Sequence, residues 1–171
     1  MSDRSRAALG SLVFLVVAPG VVAGLVPWLL SGWAPLPPAD GPGLLRWLGL
    51  IPIGTGLVVI LEAFARFALE GLGTPAPIAP TRTLVVGGLY RFVRNPMYLA
   101  VGAIIVGQAV LFASAAIAIW AIVVGAAFVA FVRLYEEPTL RSTYGTAYDA
   151  YAAVTPRWVP RIGRRRSDRP A

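Results

Sequence analysis

The order of apolar and polar positions divides the chain into long uncharged runs separated by short polar or proline-rich connections. Ala7 to Leu30 contains no charge, and a helix needs about 20 such residues to cross a bilayer. Pro19 and Gly20 lie mid-run and mark a kink. Arg4 and Arg6 precede the run, as in a signal peptide. The run is long for such a peptide, and no small-x-small site leads into a polar segment, so a retained helix is expected. Ser31 to Gly43, with Pro35, Pro37, Pro38 and Pro42, reads as a loop. Leu44 to Leu69 is the second apolar run, interrupted by Pro52.

Gly71 to Pro96 is a Gly- and Pro-rich polar connection, long enough to suggest a function of its own. Its Gly87-Gly88 pair is not a dinucleotide turn, because no G-x-G-x-x-G, βαβ unit or suitably spaced acid accompanies it. Met97 to Phe112 and Ser114 to Leu134 follow, separated only around Ala113, which predicts a tight helical hairpin. The first of these is short for a full span, so tilt or local bilayer thinning is expected. In Thr139 to Val154, Leu140, Tyr144, Tyr148 and Tyr151 share one helical face. Such a stripe reads first as an interfacial aromatic belt.

The expected fold is therefore all-α: an integral membrane protein with four transmembrane helices, the last two a hairpin, plus a cytoplasmic amphipathic C-terminal helix. Residues 1–70 would carry the first two spans, 71–161 the functional core, and 162–171 a flexible basic tail.

Composition agrees. Hydrophobic residues make up 57% of the 171 and charged residues only 13%, with mean hydropathy +0.72. A soluble domain carries about 25% charge, so lipid must cover much of the surface. All fifteen cations are arginine, and the net charge is +7. Arg157, Arg161, Arg164, Arg165, Arg166 and Arg169 crowd the C-terminus, which suits anionic lipid better than nucleic acid. Arginine bias places both termini and the Gly71 to Pro96 connection in the cytoplasm. The lysine-free composition associates the chain with a bacterial inner membrane. The sequence does not indicate an oligomeric state.

The chain has no cysteine and no histidine. That excludes disulfides, thiol nucleophiles, a serine–histidine triad, zincin and haem-histidine sites, and no metal site is expected. Three polar groups remain. Glu62, Arg66 and Glu70 lie at i, i+4, i+8 on one face, either as a surface ion-pair ladder or as the wall of a site. Asn95-Pro96 is a strong helix start beside Arg91 and Arg94, and a helix N-terminus with neighbouring arginines can seat an anion. Glu136-Glu137-Pro138 sets two acids where proline breaks or restarts a helix.

At those residues the chain resembles a known family. "GGLYRFVRNPMYLA" and, about forty residues on, "LYEEPTLRSTYGTAYDAYAAVTPRWVPR" are similar to the isoprenylcysteine carboxyl methyltransferase and phospholipid methyltransferase superfamily of integral membrane enzymes. The similarity runs from Thr74 to Arg161. It implies S-adenosylmethionine as methyl donor, with S-adenosylhomocysteine as product, and a lipophilic acceptor reached from the bilayer. It maps an R-[HN]-P-x-Y motif onto Arg94, Asn95, Pro96 and Tyr98, and paired acids onto Glu136 and Glu137. Relatives often carry histidine where this chain has Asn95, and asparagine can position but not titrate. The implied catalytic residues are Arg94 and Glu137. The implied donor-binding set is Tyr90, Arg91, Asn95, Pro96, Tyr98, Leu99, Glu136, Glu137 and Tyr148, with Arg66 and Arg157 toward the acceptor. O-methylation of an isoprenylcysteine-like carboxylate is the first expectation, since a carboxylate needs no base. Methylation of a phospholipid amine is the alternative, with Glu136, Glu137 or Glu62 taking the proton. NADPH-dependent sterol reduction ranks third, and a non-enzymatic membrane scaffold or transporter is the remaining class.

Overall fold

The computed structural model describes residues 17–34, 43–66 and 84–161. The expectations for Arg4, Arg6, Asp40, Glu70, Arg82 and the tail from Ile162 lie outside these residues. Among the described residues every regular element is helical. Helix α1 runs Val17–Ser31, α2 Gly43–Arg66, α3 Pro96–Leu111, α4 Ala115–Tyr144 and α5 Thr146–Val154, with a single 3₁₀ turn at Gly88–Arg91 before α3. The first seven residues of α2 are wound as 3₁₀ helix.

Two of these helices, α2 (24 residues) and α4 (30 residues), are long and apolar enough to cross a membrane. Only 28% and 17% of their apolar windows are buried within the protein, so they are not the core helices of a soluble domain. Leu44, Leu45, Ile51, Val58 and Leu61 on α2 are exposed, as are Ile119, Ile122 and Val123 on α4. Helices α1 and α3 are apolar but shorter.

Helix α3 is the centre. It packs on α2 along its length, on α4 as the other arm of the hairpin, and on α1. Ala100, Val101, Ile104, Ile105, Gly107 and Gln108 are buried on it. The contact with α2 is close because small residues recur every seven positions. Gly49, Gly56 and Ala63 on α2 face Gly107, Ala100 and the turn around Tyr90. A Cβ on Gly56 would lie 2.7 Å from the Ala100 carbonyl oxygen, and one on Gly107 would lie 2.6 Å from that of Gly49. Lipid supplies no hydrophobic drive between helices, so such backbone approach is a principal source of attraction.

The expected irregularity near Pro19-Gly20 takes the form of a π-turn at Val21–Leu25, closed by the Val26 N–H on the Val21 carbonyl and followed by Pro27. The same arrangement recurs in α4, with a π-turn at Val132–Glu136, the Glu137 N–H on the Val132 carbonyl, and Pro138 next. A proline inside an α-helix loses its N–H bond and crowds the carbonyl four residues back. Widening one turn relieves the crowding, so α4 is not broken at Pro138; instead an α-helical stretch restarts at Glu137 with Pro138 in its first turn. In α1 the freed carbonyls find side chains: Trp120 Nε1 donates to Val22 O (2.9 Å) and Gln108 Nε2 to Ala23 O (2.6 Å). Gln108 Oε1 in turn accepts from Trp33 Nε1 (3.0 Å). An orphaned carbonyl in an apolar interior costs several kcal/mol in hydrocarbon, so these bonds fix where α1 sits on α3 and α4.

The hairpin is as tight as expected. Ala113 adopts φ +48 and the Ser114 hydroxyl accepts from the Ile117 N–H at the start of α4. The C-terminal stretch is not one helix: Gly145 (φ +54) separates α4 from α5. Tyr148 is buried on α5, so the tyrosine stripe is not an interfacial belt.

The glycine contacts give a paired prediction. Gly107→Ala forces a methyl group against backbone and lowers stability by about 1–3 kcal/mol. Gly102→Ala, with open space around it, leaves thermal unfolding in detergent unchanged or slightly improved.

Candidate active site

The two motif-bearing segments, some sixty residues apart, are joined by backbone. The Arg94 N–H donates to Pro156 O (2.9 Å) and the Arg161 N–H to Phe92 O (3.1 Å). Asn95 Nδ2 donates to Arg157 O (3.1 Å), and the Tyr151 hydroxyl to Tyr90 O (2.7 Å). Asn95 does precede Pro96 at the start of α3, but its side chain makes no capping bond. The buried amide instead clamps the C-terminal segment.

Glu137 is the hub of this junction. It is 8% exposed, in the first turn after the π-turn. Its Oε1 accepts from Arg94 Nη1 (2.8 Å) and Arg157 Nε (2.7 Å), and its Oε2 from Arg157 Nη2 (2.7 Å). Arg94 Nη1 also reaches the Tyr148 hydroxyl (3.3 Å). Burial pushes the Tyr148 phenol above its usual pKa, against the pull of the Arg94 hydrogen bond. The Glu137 hydrogen bond, ahead of the cost of burial, holds Arg157 firmly protonated.

Glu136 points elsewhere. Adjacent helical residues diverge by roughly 100°, and the Glu136 Oε2 accepts from the Tyr98 hydroxyl (2.6 Å). The Tyr98 ring lies 4.7 Å from Phe128 and 6.4 Å, edge-on, from Trp158. Tyr90 is buried between acids, its phenol raised well above its usual pKa by burial first and then by Glu136, Tyr151 and Glu62. Arg94, Glu137, Arg157, Tyr148, Tyr98, Glu136 and Asn95 thus gather around one junction. Arg157, expected on the acceptor side, is committed to Glu137. Arg66, also expected there, pairs with Glu62 (2.9 Å) within α2. Arg91 is exposed and stacks over Phe92 (4.6 Å). Pro96 is buried in the first turn of α3 and Leu99 is half-buried one turn on.

Among the described residues three buried side-chain polar atoms have no hydrogen-bond partner: Arg94 Nε, Trp158 Nε1 and Glu62 Oε2. The first two are N–H donors at the junction, and such groups are rare without cause. Trp158 and Phe128 were not singled out from sequence. Trp158 stands inside the "TPRWVPR" string and was findable there, whereas Phe128 looks like any other apolar residue of α4.

This is a polar junction beside helices whose outer surfaces are apolar. A family model described as phospholipid methyltransferase matches residues 44–147, well over half of the chain. The chain belongs to the phospholipid methyltransferase family, within the superfamily of membrane methyltransferases that also holds the isoprenylcysteine carboxyl enzymes. Comparison with curated proteins and with solved structures gave no match.

The junction predicts its own energetics. Glu137→Ala leaves the partly buried Arg94 and Arg157 without their carboxylate and costs about 3 kcal/mol, the low end for a broken buried pair. Arg157→Ala in that background adds little, because its partner is already gone. Thermal unfolding of the two single variants and the double variant measures the coupling.

Proposed function

We propose that the protein transfers a methyl group from S-adenosylmethionine to a lipophilic acceptor that enters from the bilayer, and that the donor binds at the Arg94–Glu137–Trp158 junction. The observation that supports this best is the pair of buried, unpartnered N–H donors, Arg94 Nε and Trp158 Nε1. They suit the donor's carboxylate, while the acids Glu136 and Glu137 suit its amine and ribose hydroxyls. The faces of Tyr98, Phe128 and Trp158 suit a sulfonium. S-adenosylmethionine supplies an electrophilic methyl group when bound. The chain's part is to orient the two reactants and exclude water, which for an in-line displacement supplies most of the rate. Glu137 holds Arg94 and Arg157, Tyr98 is fixed by Glu136, and Asn95 keeps the C-terminal segment closed. Arg94 touches the donor in this reading, and Glu137 acts by positioning it.

For the acceptor, the isoprenylcysteine-like carboxylate expected first gives way in this proposal to a phospholipid headgroup amine, a reading in keeping with the family's description as phospholipid methyltransferase. A scaffold or transporter role leaves the two unpartnered donors without a purpose. The proposed topology has four spans, α1 to α4, with the junction and both termini cytoplasmic, as the arginine bias requires.

Two experiments test this. The chain has no cysteine, so introduced ones report alone. In intact cells Ala34→Cys reacts with an impermeant maleimide and Val159→Cys does not; the reverse labelling overturns the topology. Calorimetry with S-adenosylhomocysteine tests the donor site. Trp158→Phe removes an N–H that bonds nothing among the described residues and keeps an aromatic ring beside Tyr98, so unliganded stability changes little. Affinity falls roughly tenfold, the worth of a hydrogen bond to a charged group. Unaltered affinity removes Trp158 from the site.

A further inference from the structure

The third unpartnered atom lies on the other side of Tyr90. Glu62 sits in the penultimate turn of α2, where its Oε1 accepts from Arg66 Nε (2.9 Å) and its Oε2 is buried with no partner. The side chain as a whole is 31% exposed, so one flank of it borders the surroundings while Oε2 itself is covered. The backbone opposite is Gly88, at φ +55; a Cβ there would strike Glu62 Oε1 and lie 2.7 Å from Arg66 Nε. Only glycine allows the 3₁₀ turn that carries Tyr90 to approach this closely. That turn links the two regions: the Tyr90 phenol lies in the field of both Glu62 and Glu136.

Glu62, Glu136 and Glu137 differ in what they have left to offer. Glu137 has both oxygens on arginines, and Glu136 Oε2 holds the Tyr98 hydroxyl. Glu62 alone keeps a buried carboxylate oxygen with no hydrogen bond. A buried acceptor left unpaired carries a desolvation cost, which a donor from outside the chain removes. A carboxylate oxygen selects an N–H or O–H donor, best a cation, and repels a second carboxylate.

We propose that Glu62 is the acceptor-side catalytic residue, with Oε2 seating a primary or secondary ammonium headgroup and taking its proton. This rests on the methyltransferase reading above. The N–H bond breaks toward Oε2 and leaves its electron pair on nitrogen. That pair forms the new N–C bond as the C–S bond breaks onto sulfur. The positive charge passes to the methylated nitrogen, and the proton on Glu62 leaves along the exposed flank. Arg66, bonded to Oε1, fixes the carboxylate with Oε2 turned to the acceptor.

The test uses the full chain in detergent with S-adenosylhomocysteine bound. An ethanolamine-headgroup phospholipid raises the melting temperature of this complex, and the same lipid with a glycerol headgroup does not. Glu62→Gln abolishes that shift, keeps the affinity for S-adenosylhomocysteine, and slows amine methylation about 10²-fold or more, the usual worth of a general base. Should Glu62→Gln not fold, Gly88→Ala decides: it displaces the carboxylate, and the headgroup-dependent shift is lost while S-adenosylhomocysteine still binds. Wild-type methylation of the amine by Glu62→Gln overturns the proposal, as does a Gly88→Ala variant that retains the shift. An enzyme that binds S-adenosylhomocysteine and methylates only a prenylcysteine carboxylate also overturns it, with the methyltransferase reading intact. Absence of S-adenosylhomocysteine binding in the wild type overturns both.

Discussion

The Glu137 carboxylate, closed between Arg94 and Arg157, is the interaction on which the functional end of the molecule depends. The three residues come from three places: Arg94 from the entry to α3, Glu137 from the late part of α4, and Arg157 from the segment after α5. Buried as it is, the carboxylate cannot lose either arginine without leaving charge unpaired in a poorly solvated place. The neighbouring backbone bonds, Arg94 to Pro156 and Arg161 to Phe92, are ordered by the same closure. A buried ion pair is weak evidence for stability, since an apolar replacement often does as well. Its value here is to specify one arrangement of segments that share little apolar surface.

The apolar part of the bundle solves a different problem. In a bilayer every backbone group needs a partner inside the protein, yet proline stands inside three of the described helices: Pro19 and Pro27 in α1, Pro52 in α2 and Pro138 in α4. A π-turn precedes each of Pro27 and Pro138. In α1 the released carbonyls draw in Gln108 and Trp120, so a local defect becomes the tie that seats one helix on two others. In α4 the widened turn resets the helix face just before the acids, and sends Glu136 to Tyr98 and Glu137 to the arginines.

Much of this was legible in the sequence. Uncharged runs marked the helices, the gap at Ala113 marked the hairpin, and the two motifs marked the residues that meet. What the sequence did not show follows from physics that a 3.6-residue period cannot carry. A π-turn shifts phase without changing composition, so α4 was expected to end at Leu134, ten residues short of its end at Tyr144. Asn95 has the signature of a cap, but a carbonyl sixty residues away competes for its amide. The tyrosine face was read from periodicity alone, and Gly145 breaks that periodicity. Arg66 and Arg157 were expected toward the acceptor, and the ion pair each makes with an acid of the chain, Glu62 and Glu137, was not foreseen.

The central claim is that the junction of the segments 91–95 and 155–161 is where the methyl donor binds. Hydrogen–deuterium exchange of the full chain in detergent, with and without S-adenosylhomocysteine, tests it most directly. Protection gained together by the Arg94 and Arg161 amides and their neighbours, with little change at Gly24 to Ser31 on α1, is the predicted result. Unchanged exchange in both segments at saturating ligand, or protection confined to α1, contradicts it.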